Sequence, residues 1–168
     1  TLAVADLNGD GFPDLVVANR GDGTTNGTVS ILLGAGDGSF GTQTPITIPG
    51  ITLPAGTPSA IPSSPSGVAV GDFDGDGHLD LAVTDSSNND VMILFGDGLG
   101  NFAAATAASS FATGIAPAAL LAADLDGDGT VDLAVVNQGN GTANGTVSVF
   151  LNNRTGSRTN TFAAATEY

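Results

Sequence analysis

A nine-residue acidic stretch, with aspartate at its first and last positions and amide or carboxylate side chains at the third and fifth, occurs three times in this chain of 168 residues. Aligning the stretches superimposes LAVADLNGDGFPDLVVA from Leu2, VAVGDFDGDGHLDLAVT from Val68 and LLAADLDGDGTVDLAVV from Leu120. Each unit continues into a second apolar alternation, GTVSILLG from Gly27, DVMILFGDG from Asp90 and GTVSVFLN from Gly145. A segment around Phe40, Phe102 or Phe162 follows. Short β-branched runs with period two, punctuated by Gly and Asn, predict four strands per unit and an internal repeat.

A four-stranded meander cannot bury both faces alone, so the units are expected to stack sheet on sheet as the blades of a propeller do. The predicted fold is all-β, with three four-stranded antiparallel β-propeller-type blades and calcium loops between strands one and two of each. Blade 1 covers residues 1–48, blade 2 residues 67–112 and blade 3 residues 113–168; a Pro-, Ser- and Thr-rich inter-blade loop takes 49–66. With 25 Gly and 8 Pro, the composition suits short strands joined by tight turns.

The acidic stretches hold eleven of the 17 acids in a chain with only 3 cationic side chains and a net charge of -14. That charge excludes nucleic acid and anionic membrane as partners. Clustered carboxylates repel one another unless a cation neutralises them. In the first loop Asp6, Asn8, Asp10, the Phe12 carbonyl and Asp14 supply oxygens at positions one, three, five, seven and nine. Asp72, Asp74, Asp76, the His78 carbonyl and Asp80 do so in the second, and Asp124, Asp126, Asp128, the Thr130 carbonyl and Asp132 in the third. Gly11, Gly77 or Gly129 at position six allows the sharp turn that brings alternate side chains together. Hard oxygen donors without Cys or a His side chain select Ca2+ over zinc or copper, and a flexible loop suits it better than Mg2+. Three calcium ions are therefore expected, bringing the charge from -14 to -8. Loop one, with Asn8 for Asp, is expected to bind most weakly. An EF-hand would need Glu at position twelve and flanking helices; here that position is Val17, Val83 or Val135, inside strand-like runs.

The apolar strand, DxDxDGxxD loop, DLAV strand, VxIL strand and GDGxGxF turn together resemble the FG-GAP and VCBS repeats of the integrin α-subunit propeller and of bacterial surface proteins. Unit two carries the turn as GDGLGNF and unit one as GDGSF, whereas unit three has NNRTGSRTNTF, which predicts a longer outer hairpin. The resemblance implies propeller blades in rings of about seven. Three blades cannot close such a ring, so either these residues are a fragment of a longer propeller or an open three-blade stack, or copies self-associate through exposed blade faces as a ring or a filament.

Other signals are weaker. Sequons, possible glycosylation sites, occur at Asn26, Asn140, Asn144 and Asn153; the two in NGTVS, at Asn26 and Asn144, are Asn-Gly pairs that also serve as turns between strands two and three. Arg20-Gly21-Asp22 is an RGD tripeptide, which Gly-rich acidic loops also produce without an integrin partner. Asp37 and Asp97 are expected to form turns, and the His78 imidazole to point to solvent. One His, one Tyr and no Cys or Lys make no nucleophile with a base and an orienting partner, so no enzyme is expected. No apolar run reaches the roughly 20 residues of a membrane span, and an export signal is expected outside these residues. The chain reads as an extracellular or cell-surface structural or adhesive repeat, since calcium outside cells would keep such loops filled. The alternative is a calcium-dependent carbohydrate-binding, lectin-like module. A glycan or protein ligand is compatible with either reading, but with no Trp and one Tyr the chain lacks the aromatic platforms that sugar sites favour.

Overall fold

The computed structural model describes residues 1–41, 45–47, 63–103, 109–153 and 162–168. Residues 49–62 of the expected inter-blade loop, and 154–161 of the expected long hairpin in unit three, lie outside them. The described residues form three antiparallel four-stranded sheets and no α-helix. Blade 1 comprises β1 (Leu2–Ala5), β2 (Asp14–Asn19), β3 (Thr28–Leu32) and β4 (Ile46–Thr47). Blade 2 comprises β5 (Pro65–Gly71), β6 (Asp80–Asp85), β7 (Asp90–Leu94) and β8 (Ser110–Ala112). Blade 3 comprises β9 (Pro117–Ala123), β10 (Asp132–Asn137), β11 (Thr146–Phe150) and β12 (Thr166–Glu167). Strands follow chain order across every sheet, as in the expected meanders.

Register is repeated from blade to blade. Leu2 pairs with Val17 and Val4 with Leu15, as Val68 pairs with Val83 and Val70 with Leu81, and as Leu120 pairs with Val135 and Ala122 with Leu133. Because side chains alternate across a strand, each sheet has two distinct apolar faces, and both faces of blade 2 are covered. Its Val68, Leu81, Val83, Met92 and Leu94 pack with Val16, Ala18, Val29 and Ile31 of blade 1. Its opposite side, through Ala82, Val91 and Ile93, packs with Leu133, Val135, Phe150 and Phe162 of blade 3. The second core is richer in aromatic rings, with Phe73 and Phe162 centred 5.7 Å apart and Phe111 and Phe162 meeting edge to face at 5.4 Å.

The three first strands lie side by side, β5 touching both β1 and β9. Polar links join them there: the Thr1 hydroxyl donates to the Ser66 carbonyl at 3.2 Å, and the Ser66 hydroxyl donates to the Pro117 carbonyl at 2.6 Å. The blades therefore fan out from their first strands, which places the three β1–β2-type loops at one end of the stack.

Candidate metal centres

Each acidic loop folds on a hydrogen-bond net that its own carboxylates make with its own backbone. The first aspartate closes the turn: one oxygen of Asp6, Asp72 or Asp124 accepts the N–H of Gly9, Gly75 or Gly127 at 2.8, 2.7 and 2.7 Å. Its other oxygen accepts from Gly11, Gly77 or Gly129 at 2.9, 3.0 and 2.9 Å. Those bonds require left-handed backbone at positions four and six, where φ is +73° and +87° in loop one and +78° and +88° in loop two. Only glycine adopts that conformation without strain, so the glycine at position four is as necessary as the one at position six. The third-position oxygen then accepts the N–H of residue five at 3.1–3.2 Å, and the fifth-position carboxylate accepts that of Phe12, His78 or Thr130 at 2.8–2.9 Å.

The ninth-position aspartates play a part that spacing alone does not reveal. Asp14, Asp80 and Asp132 are fully buried. One oxygen of each accepts the N–H of Leu7, Phe73 or Leu125 within the loop, at 2.8, 2.9 and 2.8 Å. The other accepts from Gly34, Gly96 or Asn152 just beyond strand three, at 2.8, 2.9 and 2.8 Å. Each aspartate thus pins its loop to the third strand, while each oxygen keeps a second lone pair. Burial pushes the Asp80 carboxyl up to about 6 against the pull of the Gly96 and Phe73 N–H groups, with the charges of Asp74 and Asp76 adding to the rise. A cation beside it would offset that cost.

Ligand oxygens converge in two of the loops. Oxygens of Asp72, Asp74 and Asp80 lie within 4.8 Å of one another, as do those of Asp124, Asp126 and Asp128. Loop one gathers no such trio of carboxylates among the described residues. Its Asn8 amide instead donates to Asp10 at 3.0 Å, occupying an oxygen with a proton donor.

At position seven of loops one and two the side chains pack against a neighbouring hairpin. The His78 ring remains exposed but lies on Gly98, where a Cβ would overlap it, so the solvent-directed imidazole expected from the sequence is only half of the arrangement. Phe12 covers Gly36 in the same way. Gly96 is equally confined, because a methyl group there would overlap the Leu79 carbonyl oxygen. Gly96→Ala is expected to lower stability by about 3 kcal/mol, since the obstacle is rigid backbone. Urea unfolding measures it; a change below about 0.5 kcal/mol would show that the pin tolerates displacement.

Asp37 and Asp97 are turn formers, as expected, each accepting the N–H two residues on, at 2.9 and 2.8 Å. The RGD tripeptide is exposed, but its two charged side chains are held by hydrogen bonds within the chain. Arg20 reaches across to blade 2, donating through Nε to the Ser64 hydroxyl at 3.1 Å. One oxygen of Asp22 accepts the N–H and hydroxyl groups of both Thr24 and Thr25, holding the carboxyl well below its usual range. Asn140 repeats that turn in blade 3, accepting from Thr142 and Ala143. All four sequon asparagines, Asn26, Asn140, Asn144 and Asn153, are exposed.

Three fanned four-stranded sheets with a repeated acidic loop at one end define a bladed, all-β repeat protein. The chain belongs to the FG-GAP-like repeat family, whose profile matches residues 6–83 and 72–135. Among solved structures it is similar to the crystal structure of BBS1N in complex with ARL6DN, soaked with lead, at 14% identity and a TM-score of 0.48. That match covers 88% of this chain and 53% of the other, so the chain spans about half the length of that structure. No curated protein sequence matches it. Among the described residues no helix is long and apolar enough to cross a membrane.

Proposed function

We propose that this chain is a calcium-binding structural or adhesive repeat working outside the cell or on its surface, with one Ca2+ held by each acidic loop and copies associating through their free blade faces. The observation that carries the reading is the oxygen convergence in loops two and three, built on the same backbone net in all three loops. Trios of carboxylate oxygens within 4.8 Å repel in the absence of a cation, and oxygen donors alone favour a hard dication. Asp72, Asp74, Asp76 and Asp80, with their counterparts in loop three, would hold it, and the ion would supply charge neutralisation and a rigid loop. Affinities of about 0.1–1 mM, usual for extracellular modules, place such sites where calcium is millimolar. The absence of a catalytic constellation in the sequence and the commitment of the loop carboxylates to backbone N–H groups support a structural role.

Calorimetric titration with CaCl2 tests this reading. The expected result is three sites, the weakest in loop one. Asn8→Asp should tighten that site by about tenfold, since it exchanges an amide that donates to Asp10 for a fourth charged ligand. No heat or stabilisation at about 10 mM calcium, far above the affinity range of such modules, would sink the proposal. Glycan-array binding that required calcium would instead favour the lectin-like alternative.

A further inference from the structure

Loops two and three line one cleft of about 450 Å³, to which the second contributes residues 72–75, the third residues 129–131, and the chain just beyond β11 contributes Asn152. Asn152 stands where the other two blades have glycine. Gly34, Gly96 and Asn152 each donate an N–H to the ninth-position aspartate of their own loop, and each bridges to Phe40, Phe102 or Phe162. Only Asn152 brings a side chain to that place. Its carboxamide nitrogen donates to the Phe73 carbonyl of loop two at 3.0 Å and to the Val131 carbonyl of loop three at 3.1 Å. Carbonyls accept and cannot donate, which fixes the nitrogen as the end that faces them.

These bonds make a continuous path between two blades. Asp80 accepts the Phe73 N–H at 2.9 Å, the Phe73 carbonyl accepts from the Asn152 side chain, and the Asn152 N–H ends on Asp132 at 2.8 Å. Phe73 and Asn152 therefore join the buried ninth-position aspartates of loops two and three. The Phe73 end has little freedom to absorb a displacement, since its ring is 1% exposed and is centred 5.7 Å from that of Phe162. At the boundary between blades 1 and 2 the path is broken, because Gly96 has no side chain with which to reach loop one.

We infer that Asn152 couples loops two and three, so that a cation entering one raises the affinity of the other, while loop one binds on its own. This rests on the calcium reading of the loops and adds to it which of them act together. A cation in loop two cancels the repulsion that Asp74 and Asp76 exert on Asp80, so the carboxylate holds the Phe73 peptide in one place. Phe73 then steadies Asn152, and Asn152 steadies Asp132, so the second ion finds its ninth ligand already ordered. Coupling of this kind is reciprocal and typically reaches about tenfold in affinity. Repulsion between two bound dications works against it, but at physiological ionic strength salt screens charges across solvent beyond about 8 Å and leaves a hydrogen-bonded path intact.

Calcium titrations of the whole chain at physiological ionic strength test the inference, followed by NMR at the Gly11, Gly77 and Gly129 amides, each of which reports one loop. Asp74→Ala combined with Asp76→Ala empties loop two. The lost charges act through space on both neighbouring loops, which makes loop one the control. Loop three should weaken by about tenfold and loop one by no more than about twofold. With Asn152→Gly added, which installs the residue that blades 1 and 2 already use there, loop three should respond no more than loop one. In EDTA, Asn152→Gly should speed hydrogen exchange at the Phe73 N–H and leave the Leu7 N–H unchanged. Loop one weakened as much as loop three, a coupling that survives Asn152→Gly, or an unaltered Phe73 N–H would each overturn the inference. If Asn152→Gly fails to fold, the comparison of loops one and three with loop two emptied still decides it. No calcium response at any of the three amides would sink the calcium reading and this inference with it, whereas loops that fill independently would remove the coupling alone.

Discussion

Asp80→Ala, measured in EDTA, will lower the free energy of unfolding by about 4 kcal/mol, because it strands two buried backbone donors at about 1–3 kcal/mol each. The Phe73 N–H and the Gly96 N–H both end on this carboxylate at 2.9 Å, and both bonds are buried. Asp76→Ala is the control. Its carboxylate also accepts an N–H at 2.9 Å, but from His78 in an exposed part of the loop where water replaces the lost acceptor. The metal-free stability of Asp76→Ala should therefore stay within about 1 kcal/mol of wild type, while its calcium affinity falls. Asp80→Asn should lie between the two. Its amide oxygen can still accept one N–H, and removing the charge relieves the burial that holds the Asp80 carboxyl at about 6, but its NH2 faces the second donor. Urea denaturation of the three variants checks the ranking. Equal losses for Asp80→Ala and Asp76→Ala would mean that the ninth aspartate is a ligand alone and pins nothing.

The strands were legible because their period-two runs are short and bounded by turn residues, so that DLVVA, DLAVT and DLAVV could be superimposed and each strand's two faces told apart. The pin was less so. The loop spacing identifies Asp14, Asp80 and Asp132, but the groups they hold lie 16 to 20 residues on, at Gly34, Gly96 and Asn152, and no local pattern joins the two. A signal was available in the glycine that ends GTVSILLG and sits in DVMILFG at the same register. Its meaning depends on the Pro13 and Leu79 carbonyl oxygens lying where a Cβ would be. His78 escaped for a similar reason, since its ring rests on a glycine twenty residues away in another hairpin. The direction of packing was hidden as well: two faces per blade can be read from alternation, but which face meets which is decided only when neighbouring sheets are brought together.

Directional packing and the loop net bear on the same property. Each loop is closed by carboxylates that accept N–H groups, so the turn can form before any ion arrives, and a bound ion would mainly cancel the repulsion left among oxygens already in place. The loops stand at one end of the fan, away from the Thr1, Ser66 and Pro117 contacts that tie the first strands together. Neutralisation at that end should therefore stiffen the blade edges and, through Leu7 and Phe73, which the loops place in the two inter-blade cores, the contacts between sheets as well.

Adding calcium to the metal-free chain is expected to raise its stability by about 3 kcal/mol per site at a hundredfold excess over the dissociation constant, because an ion that binds only the folded state stabilises by RT ln(1 + [L]/Kd). The unfolded chain keeps the same aspartates but not their convergence, so its competing affinity is small. Loops two and three should supply most of the gain at low calcium, since their carboxylate trios lie within 4.8 Å while loop one has Asn8 donating to Asp10. Thermal melts across a calcium series, with EDTA as the origin and magnesium as a parallel arm, measure the effect. A melting temperature rising with the logarithm of calcium concentration, and much less with magnesium, is the predicted behaviour. A melting temperature indifferent to both ions would leave the acidic loops as self-contained turns, stabilised by the aspartate-to-backbone net alone.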